Sequence, residues 1–216
     1  MRSTILATVL AAAIGSSACS SMYHSLMGTE ERELLVSSVE NAQETQTDAQ
    51  EQFQTTFEAF QELTNFDGGD LEKMYDTLSD EYDDAESAAK KVSKRIDDVE
   101  DISKDMFKEW EKEIEEYTNA DLRRQSEESL RDTRARCDSL VASMREAETS
   151  MDPVLAAFKD QVLFLKHNLN AQAVANLKQT SLEIGEDVGS LIESMEKSIA
   201  EAEAFINEFQ GTAPSA

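Results

Sequence analysis

The sequence predicts an all-α protein: an elongated antiparallel coiled coil or helical bundle of three to four long helices. Three observations carry this. Helix breakers are scarce, with 7 Gly and 2 Pro in 216 residues, and Ala, Glu, Gln, Lys, Leu and Ser fill much of the remainder. Apolar residues recur at alternating steps of four and three, the spacing of one helical face. No run of alternating apolar and polar residues bounded by turn signals reads as a strand.

The first helix is predicted from Thr29 to Phe66. Its seam is Leu35, Val39, Ala42, Gln46, Ala49, Phe53, Thr56, Phe60 and Leu63, apolar except at Gln46 and Thr56. Gly68 and Gly69 then permit backbone turns closed to other residues, and Asp70 is placed to cap the next helix. The second helix, Asp70 to about Tyr117, carries the longest seam. It steps through Leu71, Tyr75, Leu78, Tyr82, Ala85, Ala89, Val92, Ile96, Val99, Ser103, Met106, Trp110, Glu113 and Tyr117, failing only at Ser103 and Glu113. Met106 and Trp110 are thus expected in the core. Thr118 or Asn119 caps a third helix, whose seam is Leu130, Thr133, Cys137, Leu140, Met144, Ala147 and Met151. Asp152-Pro153 is expected to end it, because proline lacks the N–H that an interior turn needs but suits a first turn. The fourth helix is predicted from Pro153 to about Phe209. Its seam begins Leu155, Phe158, Val162, Leu165, Leu169 and slips phase through Ala173 to Leu177. It resumes at Ile184, Val188, Leu191, Met195, Ala202, Phe205 and Phe209, with Ser181 and Ser198 interrupting. Such apolar faces need partners. An antiparallel bundle within one chain supplies them, and so would a homodimer.

The first 18 residues read as a signal peptide: Arg2, then an apolar run from Ile5 to Ile14, then small residues. The run is about half of the ~20 residues that a membrane span requires. Ser17-Ala18-Cys19 resembles the end of a bacterial lipobox, in which the cysteine receives diacylglycerol and becomes the mature N-terminus. Ser16 stands where that motif usually carries an aliphatic residue, and Ser16-x-Ala18 also fits general signal cleavage, so plain secretion and an uncleaved anchor are the alternatives. The expected organisation is signal peptide 1–18, lipidated tether 19–28, helical domain 29–210 and disordered tail 211–216.

The formal net charge is -25. A surface this acidic repels phosphate backbones, which argues against nucleic acid as a partner. The one basic cluster, Arg123, Arg124, Arg131, Arg134 and Arg136, is interleaved with acids and is expected to pair with them and with Glu109, Glu111, Glu115 and Glu116 of the preceding helix.

Little in the sequence points to chemistry. The two histidines, His24 and His167, stand apart from any metal-ligand spacing. Cys137, the one cysteine besides Cys19, falls on an apolar seam and reads as a small buried hydrophobe. No nucleophile elbow or glycine-rich phosphate loop occurs. The reading is therefore no enzyme, no catalytic residue, no metal and no cofactor. One stretch departs from its own rule: at Lys166, His167, Asn168 and Asn170 amides gather where the seam slips, and asparagine disfavours a helix interior. These four residues are the candidate partner contact.

Three stretches, Asn65 to Lys73, Asp80-Glu81-Tyr82 and Leu165 to Ala171, resemble the bacterial domain-of-unknown-function family numbered 2959. The resemblance extends over roughly Cys19 to Ile206. It implies a helical, lipoprotein-like envelope protein of Gram-negative bacteria, and it implies no reaction, ligand or catalytic residue.

The expected role is structural or interactive. Lipid on Cys19 fixes one end to the membrane, and the rod reaches into the periplasm towards an envelope protein or the cell wall. Ser20 after the cysteine favours the outer membrane by resemblance to sorting rules. The alternative is a helical binding module for a small molecule, ion or lipid.

Overall fold

The computed structural model describes residues 17–66, 68 and 70–211. Five helices follow one another among them: α1 (Ser17–Thr64), α2 (Leu71–Glu116), α3 (Ala120–His167), the short α4 (Ala171–Asn176) and α5 (Lys178–Gly211). The segment read as a signal peptide, save Ser17 and Ala18, and the tail beyond Gly211 lie outside the described residues.

The two predicted caps form. The Asp70 side chain accepts from the Lys73 N–H at 3.1 Å, and Asn119 accepts from the N–H groups of Asp121 and Leu122 at 2.9 and 3.2 Å. Each satisfies donors that a helix start leaves open. Gly68 has φ 136°, a conformation only glycine adopts at low cost, and this lets α1 fold back into α2.

The four long helices close a ring. α1 packs on α2 and α5, and α3 packs on the same two. Neighbours run antiparallel, as the side-chain pairs between them require: Gln52 with Glu81, Arg145 with Glu100, Lys197 with Glu146 and Ser198 with Gln46. This is an up-down-up-down four-helix bundle. At ~1.5 Å per residue its 48-residue helices are about 72 Å long. The predicted seams meet inside it, so the chain covers its own apolar faces.

All nine seam positions of α1 are buried, Gln46 and Thr56 among them. Thr56 is held because its hydroxyl reaches the carbonyls of Gln52 and Glu81 at 2.9 and 3.0 Å. Gln46 accepts from Ser198 at 3.1 Å while its amide nitrogen has no partner. Ala42, Ala49 and Ala202 lie one turn away on the same faces and are also buried, so the long Gln46 side chain stands in a thin-walled layer. Gly185 of α5 admits α1 closely. A Cβ there would meet the Phe57 ring at 2.9 Å.

The structure corrects several expectations about the helices. Pro153 does not end a helix; α3 continues through it to His167. Met144, Ala147, Met151, Val154, Phe158, Val162 and Leu165 form one buried stripe across the proline, and burying it outweighs the ~3 kcal/mol that an interior proline costs. Val154, not Leu155, enters the core. The chain instead turns back at Asn168–Asn170, which is why the seam slips there. Trp110 is only half-buried: the core moves onto Phe107 and Ile114, and Tyr117 leaves it. Helical backbone begins at Ser17, so residues 19–28, expected as a lipidated tether, lie within the span of α1.

Candidate functional site

Cys19 stands in the first turn of α1, at one end of the bundle. Twelve residues on, Glu31 faces Asp105, Glu109, Lys112 and Glu113 of α2. Burial and then repulsion from Glu109 and Glu113 raise its carboxyl above the ordinary value of 4.5. A carboxyl with a raised pKa penalises the fold once ionised. The penalty is absent below pH 4.5 and grows as pH rises through the folded-state value. Glu31→Gln is therefore expected to melt above the wild type at pH 7, with the advantage vanishing as pH falls below 4.5; melting curves at both pH values check this.

Beside Glu31, the Arg32 guanidinium lies over the Phe209 ring at 4.9 Å. This sets the level at which α5 finishes. Beyond it the described part of this end consists of α1, α2 and α3. The Trp110 indole donates to Ser126 Oγ at 2.9 Å and ties α2 to α3 just below their turn. Two large apolar side chains stand in the open where α2 turns into α3: Tyr117, which caps α2 and is 43% exposed, and Leu122 in the first turn of α3, 49% exposed. Sequence reasoning missed this pair. Leu122 gave a signal, as the one large apolar residue off the seam between Asn119 and Leu130.

The four candidate contact residues lie at the opposite end, all exposed. Asn168 closes α3: its N–H donates to the Leu165 carbonyl at 3.1 Å and its side chain to the Phe164 carbonyl at 2.9 Å. Asn170 caps α4, accepting from the Ala173 N–H at 3.0 Å. Lys166 and His167 occupy the last turn of α3, where the lysine's positive charge suits the free carbonyls. Helix termination thus accounts for the residue types here.

Residues 21–209 match the family described as "Protein of unknown function (DUF2959)". The chain belongs to that family. No curated relative and no solved structure matches it. The stretches that carried the resemblance now have structural roles in this DUF2959 chain. Asn65 to Lys73 spans the α1–α2 turn and its Asp70 cap, and Leu165 to Ala171 spans the α3–α4 turn at the same end. In the third stretch Glu81 accepts from the α1 side chain of Gln52 at 2.6 Å.

The DUF2959 bundle buries Cys137 on its predicted seam. Burial pushes the thiol up to about 11, against a smaller opposing effect from its hydrogen bond with Ser103. So protonated a sulfur is a poor nucleophile. The basic cluster is spent on carboxylates. Arg123 pairs with Glu127, Arg124 with Asp121, Arg131 with Asp132 and Arg134 with Glu111. Only Glu111 of the four expected α2 acids is used, and Arg136 reaches Glu208 of α5 instead. Arg145 carries the densest network, with Asp97 and Glu100 of α2 and Glu148 of its own helix. Burial works against its charge, but the hydrogen bonds outweigh burial and hold the guanidinium above its ordinary pKa. Such a clamp fixes the register of α2 against α3. Between these two helices lies a groove of about 520 Å³, floored by Phe107, Val141 and Ala142. Its rim carries the cations Lys104, Lys108 and Arg134, of which Lys104 and Arg134 bind Glu100, Asp101 and Glu111. No helix among the described residues is long and apolar enough to cross a membrane.

Proposed function

We propose that this DUF2959 protein is a lipid-anchored rod of the bacterial envelope. It is held to the outer membrane through Cys19, faces the periplasm, and has a structural or protein-interaction role there. The observation that carries this reading is where Cys19 falls: in the first turn of a 48-residue helix that continues into the core of a bundle about 72 Å long. Acyl chains on that residue would hold a stiff body by its end. Cleavage before it removes only Ser17 and Ala18 of the described chain. Several acyl chains, as on a mature bacterial lipoprotein, give firm attachment where one gives marginal binding. A rod so held offers its far turns and long acidic flanks to an envelope protein or the cell wall.

The experiment is metabolic labelling with a fatty-acid probe, comparing wild type with Cys19→Ser, followed by separation of the inner and outer membranes. Label in the wild type alone, recovered with the outer membrane, is the expected result. An unlabelled wild-type chain would remove the anchor from the proposal. The second reading, a binding module, draws on the α2–α3 groove. Stoichiometric ligand retained through purification would favour it.

A further inference from the structure

We propose that the α2–α3 tip is a membrane-contact surface, which rests Tyr117 and Leu122 on zwitterionic lipid beside the anchored N-terminus. This rests on the reading of Cys19 as the attachment point. The geometry begins with the chain direction. The apolar segment before residue 17 lies outside the described residues, and the chain leads into the bundle from it at the end where α2 turns into α3. Glu31 marks a common level, since it lies within electrostatic reach of Glu109 and Glu113. From that level α1 rises twelve residues to Cys19, roughly 18 Å, while α2 rises three to seven to its end at Glu116, roughly 5–10 Å. Cys19 therefore stands only about 10 Å beyond the tip along the bundle axis. That gap is comparable to one interhelical spacing of 8–10 Å. A tilt of the rod about its anchored corner closes it.

The tip has the chemistry for such a contact. Tyr117 and Leu122 flank the turn, each more than two-fifths exposed. A tyrosine and an aliphatic side chain at one level suit a lipid interface, where an apolar body can be buried while a phenol stays wet. Nothing in the fold needs Leu122 to be apolar, because the whole run 115–125 is exposed. Charge selects among lipids. Glu115, Glu116, Asp121, Glu127 and Glu128 outnumber Arg123 and Arg124, and the two arginines are already paired with Glu127 and Asp121. An anionic surface would repel the tip; a zwitterionic one would not.

The test uses the full chain, expressed with its own N-terminal segment and reconstituted into phosphatidylethanolamine–phosphatidylcholine vesicles. Leu122→Cys and, at the opposite end, Leu182→Cys each receive a polarity-sensitive thiol dye. Cys137 is buried with a raised pKa and does not compete. Both substituted positions are exposed, so the fold is retained, and melting curves verify it. Flotation of the vesicles reads attachment in the same samples. The expected result is a floating protein whose dye at 122 shifts to the blue and is quenched by lipids brominated near the headgroup, while the dye at 182 does neither. A floating protein with both dyes in water overturns the tip contact and leaves the anchor standing. Quenching at both positions overturns it as well, since the rod would then lie flat. A wild-type chain that does not float removes the anchor and the contact together.

Discussion

Phe158→Ala is expected to lower the stability of the bundle by about 3–5 kcal/mol. Phe158 on α3 has no exposed surface, and its ring meets Phe60 of α1 edge-on, with centroids 6.5 Å apart and planes at 67°. α1 and α3 are not neighbours in the ring of helices. The two rings therefore touch across the centre of the bundle, with α2 and α5 closing either side. Removing one leaves a void that no solvent can fill, and collapse would have to draw in helices pinned by the Arg145 network and by Ser198 on Gln46. The edge-on contact adds about 0.5–1.5 kcal/mol beyond area. Urea unfolding measures the loss at unchanged slope. Leu182→Ala, on an exposed face, is the control and should stay within about 0.5 kcal/mol of the wild type. A loss below about 1 kcal/mol for Phe158→Ala would mean that the centre is loosely packed.

The seams show how spacing can outperform composition. Gln46, Thr56, Ser103, Thr133 and Ser198 are polar, and two of them were read as failures of the pattern or interruptions, yet all five are buried. Position on a helical face decided their fate because each backbone is continuous there and the neighbouring turns are apolar. Two of the hydroxyls meet the cost by bonding to backbone, Thr56 to the carbonyls of Gln52 and Glu81 and Ser103 to that of Glu100 at 2.9 Å, while Ser198 donates to the Gln46 side chain. Where the reading failed, the cause was tertiary. Trp110 was expected inside, but past the end of α5 there are fewer helices to cover it, and the indole instead ties α2 to α3 through Ser126. The Asn168–Asn170 turn was visible as a slip in phase, but the stronger local signal of Pro153 drew the fold-back to the wrong residue. The site was legible to the same degree. The proposed attachment point, Cys19, is read from the small residues before it. Tyr117 lay on the seam by count, and only the packing of the tip reveals it as exposed beside Leu122.

Pro153→Ala is expected to stabilise the protein by about 2–3 kcal/mol, and its sign separates two folds. In the bundle, residue 153 is exposed in the interior of α3, between buried Met151 and Val154. A proline there cannot donate to the Thr149 carbonyl, and its ring crowds that carbonyl, for a cost of about 3 kcal/mol relative to alanine. Alanine restores the hydrogen bond and relieves the crowding. It also frees the unfolded chain, which returns about 0.4–1 kcal/mol of the gain. The balance remains strongly favourable because the carbonyl of Thr149 is already held in helical geometry by the turns on either side. Had Pro153 stood in the first turn of a separate helix, none of this cost would exist, and alanine would weaken the protein by up to about 1 kcal/mol through the unfolded state alone. The measurement is the shift in the urea midpoint, with helical content by circular dichroism as a check that α3 has not lengthened at another helix's expense. A rise in midpoint at constant slope means one continuous α3 whose buried stripe overrides the proline; a fall means that the chain turns at Asp152.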